Sequence, residues 1–176
     1  TTAITGNDQV LFQSYSRLTV TPGTATAKNG ASIVSYSAVC SGVTKSNTTG
    51  AALSLGTIGT SGTRDITLTV TDSRGYTASV TKSVTVVPYS KPKVNSVSLR
   101  RTNEIETEMQ LVFNGSISAI TVDGAQKNSL LYVRYRYKLT SASSYNAYTS
   151  ILTSVTASGT SFSFSNLELC NLNAEA

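Results

Sequence analysis

The sequence predicts an all-β protein built as two tandem β-sandwiches, and three observations carry that prediction. Ile66, Leu68 and Val70 alternate with Thr67, Thr69 and Thr71, which is the period-two pattern of a strand with one face buried. No stretch of helical length repeats its apolar residues at helical spacing, while the strand formers Thr, Val, Tyr and Ile are plentiful. Midway along the 176 residues, Pro88-Tyr89-Ser90-Lys91-Pro92 separates two halves, each near the size of one small sandwich of about 85–100 residues. The expected boundaries are 1–89 and 90–176.

In the first half, Val10-Leu11-Phe12, within a lead-in, reads either as a short edge strand or as the end of a preceding module's linker, and Arg17 to Thr21 as a strand ended by Pro22-Gly23. Lys28-Asn29-Gly30 is a turn. Ile33 to Cys40 is a strand with Val34, Tyr36, Ala38 and Cys40 on one face, and Ser41 to Gly50 reads as a polar loop. Leu53 and Leu55 mark a short strand that Ile58 extends. A hairpin comes next, turning at Asp72-Ser73-Arg74-Gly75, where Asp bonds its own backbone two residues on and Gly75 accepts a positive φ. Its second strand alternates through Tyr76, Ala78 and Val80 and resumes at Val84 and Val86. Lys82 falls where an inward residue is due, so a β-bulge or an edge protected by charge is expected there, with the ammonium reaching out to the rim.

The second half repeats the plan. Val97 and Leu99 lie on one strand, Met109, Leu111 and Phe113 on the next, and Ile120 and Val122 lead to an Asp123-Gly124 turn. Leu131, Val133, Tyr135, Tyr137 and Leu139 share the inner face of a long third strand. Ile151, Leu152 and Val155 come after it, and Phe162, Phe164 and Leu167 form a last strand. This order resembles the fibronectin type III layout, in which a Tyr-rich strand packs on the core. Such a sandwich has two further strands, like the pair that residues 65–87 supply in the first half; either the second sandwich is incomplete here, or residues 1–13 or another chain supply the missing edge, and self-association along an open edge is expected.

The run Thr71-Asp72-Ser73-Arg74-Gly75, then Val84-Thr85-Val86-Val87-Pro88-Tyr89-Ser90-Lys91-Pro92, resembles the repeated immunoglobulin-like module of siphophage minor structural proteins from phages of Gram-positive bacteria. Thr5-Gly6-Asn7-Asp8-Gln9 and Ala27-Lys28-Asn29-Gly30-Ala31 are similar to the same family. These are turn and linker motifs, so the resemblance implies a scaffold. It implies a virion component near the tail tip, extracellular when displayed, with other tail or baseplate proteins and neighbouring modules as partners. A bacterial surface adhesin repeat shares the same fold.

Composition narrows the chemistry. Histidine and Trp are absent, which removes Ser-His, Cys-His and His-metal sites and the strongest sugar-stacking side chain. The nine carboxylates lie mostly in turns and strand starts, with no calcium-loop spacing and no evident glycosidase pair. Glu104, Glu106 and Glu108 share a face if extended, either as a solvated edge or as a weak cation site. No enzyme and no cofactor are expected. The net charge of +5 is scattered, unlike the concentrated basic face of a nucleic-acid binder, so no nucleic-acid partner is expected. No run of 18 apolar residues suggests membrane insertion, and the opening Thr1-Thr2-Ala3, without an initiator Met or leader pattern, reads as a piece of a longer protein. Cys40 and Cys170, one in each half, read as buried thiols rather than a disulfide.

One constellation stands out. Arg134, Arg136 and Lys138 alternate with the inward Tyr135 and Tyr137, so they form a basic stripe on the outer face, with Tyr132 beside it. Tyr145 and Tyr148 sit in a polar loop, where Tyr acts as a binding anchor or packs back on the sheet. The functional reading is recognition of an anionic host cell-wall polysaccharide or an acidic neighbour. The structural alternative is an ordinary charged strand face that blocks edge pairing. The leading expectation for the whole chain is a semi-rigid tail spacer.

Overall fold

The long hairpin forms as its sequence dictates. In a computed structural model, described for residues 2–102, 108–152 and 155–168 (side chains of 166–168 excepted), Gly62–Asp72 and Thr77–Val87 pair antiparallel in unbroken register. The Asp72 carboxylate organises the turn. Its Oδ1 accepts the N–H groups of Arg74 (2.9 Å) and Tyr76 (3.0 Å), and its Oδ2 pairs with the Arg74 guanidinium at 2.8 Å. Gly75 takes φ +86°, where an added Cβ would be strained.

The chain divides into two compact units, residues 1–89 with 122–125, and residues 90–121 with 126–176. Unit 1 contains one helical turn, Thr2–Thr5, then β1 (Val10–Phe12), β2 (Arg17–Val20), β3 (Ile33–Cys40), β4 (Val43–Asn47), β5 (Leu53–Thr57) and the hairpin strands β6 and β7. One sheet has the order β1-β7-β6-β3-β4, and β2 pairs with β5 in a second. β1 runs parallel to β7, with Leu11 opposite Val86. Leu18, Leu53 and Leu55 from the small sheet meet Leu11, Ala38, Cys40, Ile66, Val84 and Val86 from the large one in a single core. Cys40 is a free, buried thiol; Cys170 lies outside the described residues.

Four expectations for unit 1 need correction. Ser41 to Gly50 is not all loop: Ser41 (φ +48°) and Gly42 (φ +78°) make a tight turn, and β4 pairs with β3. As an edge strand with polar residues on both faces, β4 has no apolar alternation to betray it. Val34 is exposed, because a register irregularity falls between Ile33 and Ser35. Of the two readings of Lys82 the bulge is the one to correct: Lys82 sits in regular register opposite Ile66, and it is exposed, as expected of an ammonium reaching out to the rim. Tyr76 and Val80, expected inward, are 71% and 52% exposed. The reason is length. The hairpin strands have 11 residues each, while the covering strands β2 and β5 have four and five, so within unit 1 these strands do not reach over the distal hairpin. Its other face is a hydroxyl ladder, in which Thr67 bonds Thr81 (3.2 Å) and Thr69 bonds Ser79 (2.7 Å).

The chain after residue 92 forms β8 (Lys93–Arg101), β9 (Met109–Ser116), β10 (Thr121–Val122), β11 (Ala125–Gln126), β12 (Arg134–Tyr135), β13 (Thr149–Ser150), β14 (Thr156–Ser158) and β15 (Ser161–Glu168), all in unit 2 except Val122 and Ala125 of the β10–β11 hairpin. A four-stranded antiparallel sheet has the order β14-β15-β9-β8, and β12 pairs with β13. Asp123 (φ +50°) and Gly124 (φ +77°) turn between β10 and β11 as their sequence predicts. The core gathers Phe113, Phe162, Phe164, Ile117 and Ile151, with Val133 and Tyr135 packed against it. The long third strand expected from Leu131 to Leu139 is reduced to β12. Leu131 and Leu139 are 76% and 49% exposed, since among the described residues the pairing of this segment is short and on one side. Glu108 is exposed, and Glu104 and Glu106 lie outside the described residues.

The all-β class therefore holds.

Candidate functional site: a cation–tyrosine ladder

Strand alternation places Tyr132, Arg134, Arg136 and Lys138 on one side of their segment and Val133, Tyr135 and Tyr137 on the other. The returning segment supplies the rest. Arg134 lies opposite Ser150 and Tyr135 opposite Thr149, so Tyr148 falls on the same face as the cations. Asn146 secures the return: its N–H donates to the Tyr137 carbonyl (2.9 Å), and its Oδ1 accepts the Tyr137 N–H (2.7 Å).

All six sequence-predicted residues meet in one interleaved ladder. The Arg134 guanidinium lies over Tyr132 (4.6 Å to the ring centroid) and Tyr148 (4.1 Å). Arg136 lies over Tyr148 (4.8 Å) and Tyr145 (4.6 Å), and the Lys138 ammonium sits 5.5 Å from the Tyr145 ring. Each ring presents its negative face to a cation. Tyr132, Tyr145 and Tyr148 remain about half exposed. Sequence alone separates strand stripe from loop tyrosines; their union depends on the 139–148 return, whose only local signal is the alternation of Tyr148 with Ser150.

The electrostatics of the ladder are one-sided. Among the described residues the three ladder cations have no carboxylate within ion-pair distance, in contrast to Arg74, which pairs with Asp72. Lys138 Nζ donates to the Ala142 carbonyl at 3.3 Å. A guanidinium stacked over a ring keeps its N–H edge available in the guanidinium plane, which suits oxyanions. The tyrosine faces are already occupied by cations, which leaves less ring surface for sugar stacking. Among the described residues, no three His, Cys, Asp or Glu side chains cluster as metal ligands.

A second feature, missed in the sequence, adjoins the ladder. Val94, Val97 and Leu99 of β8 are 60%, 67% and 55% exposed, and with Leu111, Phe113 and the 133–137 segment they line an apolar groove of about 300 Å³. The alternation of Val97 and Leu99 signals a strand; nothing local signals that its apolar face stays uncovered.

The comparison that decides the affiliation is with protein families. The family described as "Siphovirus protein of unknown function (DUF859)" matches residues 1–174. The chain belongs to this siphovirus family. Membership associates the siphovirus protein with the phage virion and a structural role there. No curated protein and no solved structure matches it. No helix among the described residues is long and apolar enough to cross a membrane.

Proposed function

We propose that this siphovirus protein is a non-enzymatic structural module of a minor tail protein, a semi-rigid spacer near the tail tip of a phage of Gram-positive bacteria. The observation that carries the reading is how unit 1 ends. Tyr89, inside the Pro88–Pro92 link, stacks on Phe12 (5.3 Å, 17°) and meets Tyr15 edge-on (4.9 Å, 82°), so the chain leaves unit 1 from a fixed point. Two prolines in five residues stiffen the link itself. The strand arrangement supports an immunoglobulin-like identity for unit 1: a first strand parallel to the last, in a five-stranded sheet packed on a separate pair. Other tail proteins are its partners in this reading. Phage lacking the region should assemble tails whose tip is shortened in electron micrographs while still adsorbing to host walls. A tip of unchanged dimensions would sink the spacer.

The ladder favours a second reading, recognition of an anionic cell-wall polysaccharide on the host surface. Purified walls should retain the chain, and the triple substitution Arg134→Ala, Arg136→Ala, Lys138→Ala should release it. Because the retention is electrostatic, it should also weaken as salt rises. Retention unaffected by the triple substitution would assign the ladder to structure alone.

A further inference from the structure

We propose that the free edge of the 133–138 segment, together with the apolar groove beside it, takes an extended acidic segment of another polypeptide as an added β-strand. Backbone hydrogen bonds define that edge. The Val133 carbonyl accepts from Ile151 N–H (2.8 Å), and the Tyr137 N–H and C=O both engage Asn146. These odd-numbered residues face β13. Alternation then turns the N–H and C=O groups of Arg134 and Arg136 to the opposite edge, where β12 has no neighbouring strand among the described residues. An unpaired strand edge is a template for another strand.

Unit 1 contains a strand with both edges filled. There β3 has β4 on one side and β6 on the other, and β6 sends Ile66 into the core with Leu68 packed against it. In unit 2, β12 has β13 on one side and, among the described residues, no strand on the other. The groove next to that edge is floored by Val97 and Leu99, both more than half exposed, with their strand neighbours Phe113 and Leu111 also lining it. A strand laid against the edge sends alternate side chains onto this floor. Those positions therefore require apolar residues.

Charge specifies the other positions. The intervening side chains of an added strand emerge on the ladder face, beside Arg134 and Arg136. Neither Arg has a carboxylate partner among the described residues. Asp or Glu there would pair with the guanidinium edges, and Lys or Arg would be repelled. The occupant is thus a segment alternating apolar and acidic residues, donated by another protein. It makes no use of wall polysaccharide, so it stands apart from both readings above.

The test titrates the full chain with a labelled peptide of about eight residues alternating Val with Glu, a length typical of one strand. Controls are a scrambled peptide of the same composition, a Val/Lys alternation, and a Val/Glu peptide N-methylated at the residues whose N–H groups face the edge. Saturable binding of the Val/Glu peptide is expected, reduced at least about tenfold by Leu99→Asp, by Arg134→Glu with Arg136→Glu, and by N-methylation. Leu99 is exposed, so Leu99→Asp should keep the parental melting curve, and Val97→Asp provides an independent repeat. Equal binding of the scrambled peptide, or no binding, overturns the proposal. So does sedimentation showing that the edge is closed by a second copy of this chain, with the dimer lost on Leu99→Asp.

Discussion

Asp72 shows how much one side chain decides. Its carboxylate accepts from the Arg74 side chain and from two backbone N–H groups, and the Arg74 hydrogen bond, first among these, holds its pKa below the ordinary aspartate value. The folded chain therefore binds this proton less tightly than the unfolded chain. The stability so gained is present above the unfolded value, about pH 4, and is lost as pH falls through the lower folded value. Asp72→Asn should lower the melting temperature at neutral pH, and the difference from the parent should shrink as pH falls below the unfolded value and through the lowered folded one. A gap unchanged across that range would show that the charge plays no part. Gly115 is decided by space instead. A Cβ there would run into the Phe162 ring and the Lys93 carbonyl, one of them backbone, so Gly115→Ala should destabilise unit 2 by about 1–3 kcal/mol in denaturant titrations.

At the scale of elements, the ladder and the Tyr89 anchor are cases where separate segments hold each other. Tyr148 lies under both Arg134 and Arg136, while Tyr132 meets only Arg134 in this way. At about 0.5–1 kcal/mol for each exposed cation–π contact, Tyr148→Ala should cost unit 2 about 1–2 kcal/mol and Tyr132→Ala about half as much. A double-mutant cycle with Arg136→Ala would show coupling for Tyr148 and little for Tyr132. Tyr89→Ala should remove two aromatic pairs, about 1–2 kcal/mol, from unit 1, and Tyr89→Phe should retain them.

For the whole molecule, the consequence is two cores. One gathers aliphatic residues such as Leu53, Leu55 and Val86; the other is a smaller aromatic group around Phe113, Phe162 and Phe164. Chemical denaturation should therefore depart from a single two-state transition. Phe162→Ala should move only the transition of the aromatic core, by about 3–5 kcal/mol, and Leu55→Ala only the aliphatic one, by about 2–5 kcal/mol. A single coincident transition for both variants would show one cooperative unit. Cys40, buried among aliphatic side chains, should react with a thiol reagent only as the aliphatic core unfolds.

Local chemistry by itself determined much of this protein. Period-two alternation located the hairpin strands, and the Asp72–Gly75 turn announced its own geometry. The stripe of Arg134, Arg136 and Lys138 was equally legible, because alternation along a strand is a local rule. Tertiary structure decided which alternating faces are covered. Val80 and Val86 read alike in sequence, yet one is 52% exposed and the other 1%, since β2 and β5 are too short to reach the distal hairpin. Val97 and Leu99 look like core residues and instead floor an open groove, because no strand among the described residues lies beside β12 to cover them. β4 was invisible because an edge strand needs only backbone pairing with β3. The ladder closed only when the 139–148 return set Tyr145 and Tyr148 over cations remote in sequence. Burial is a property of what lies opposite, and no local pattern encodes how far the opposite layer extends.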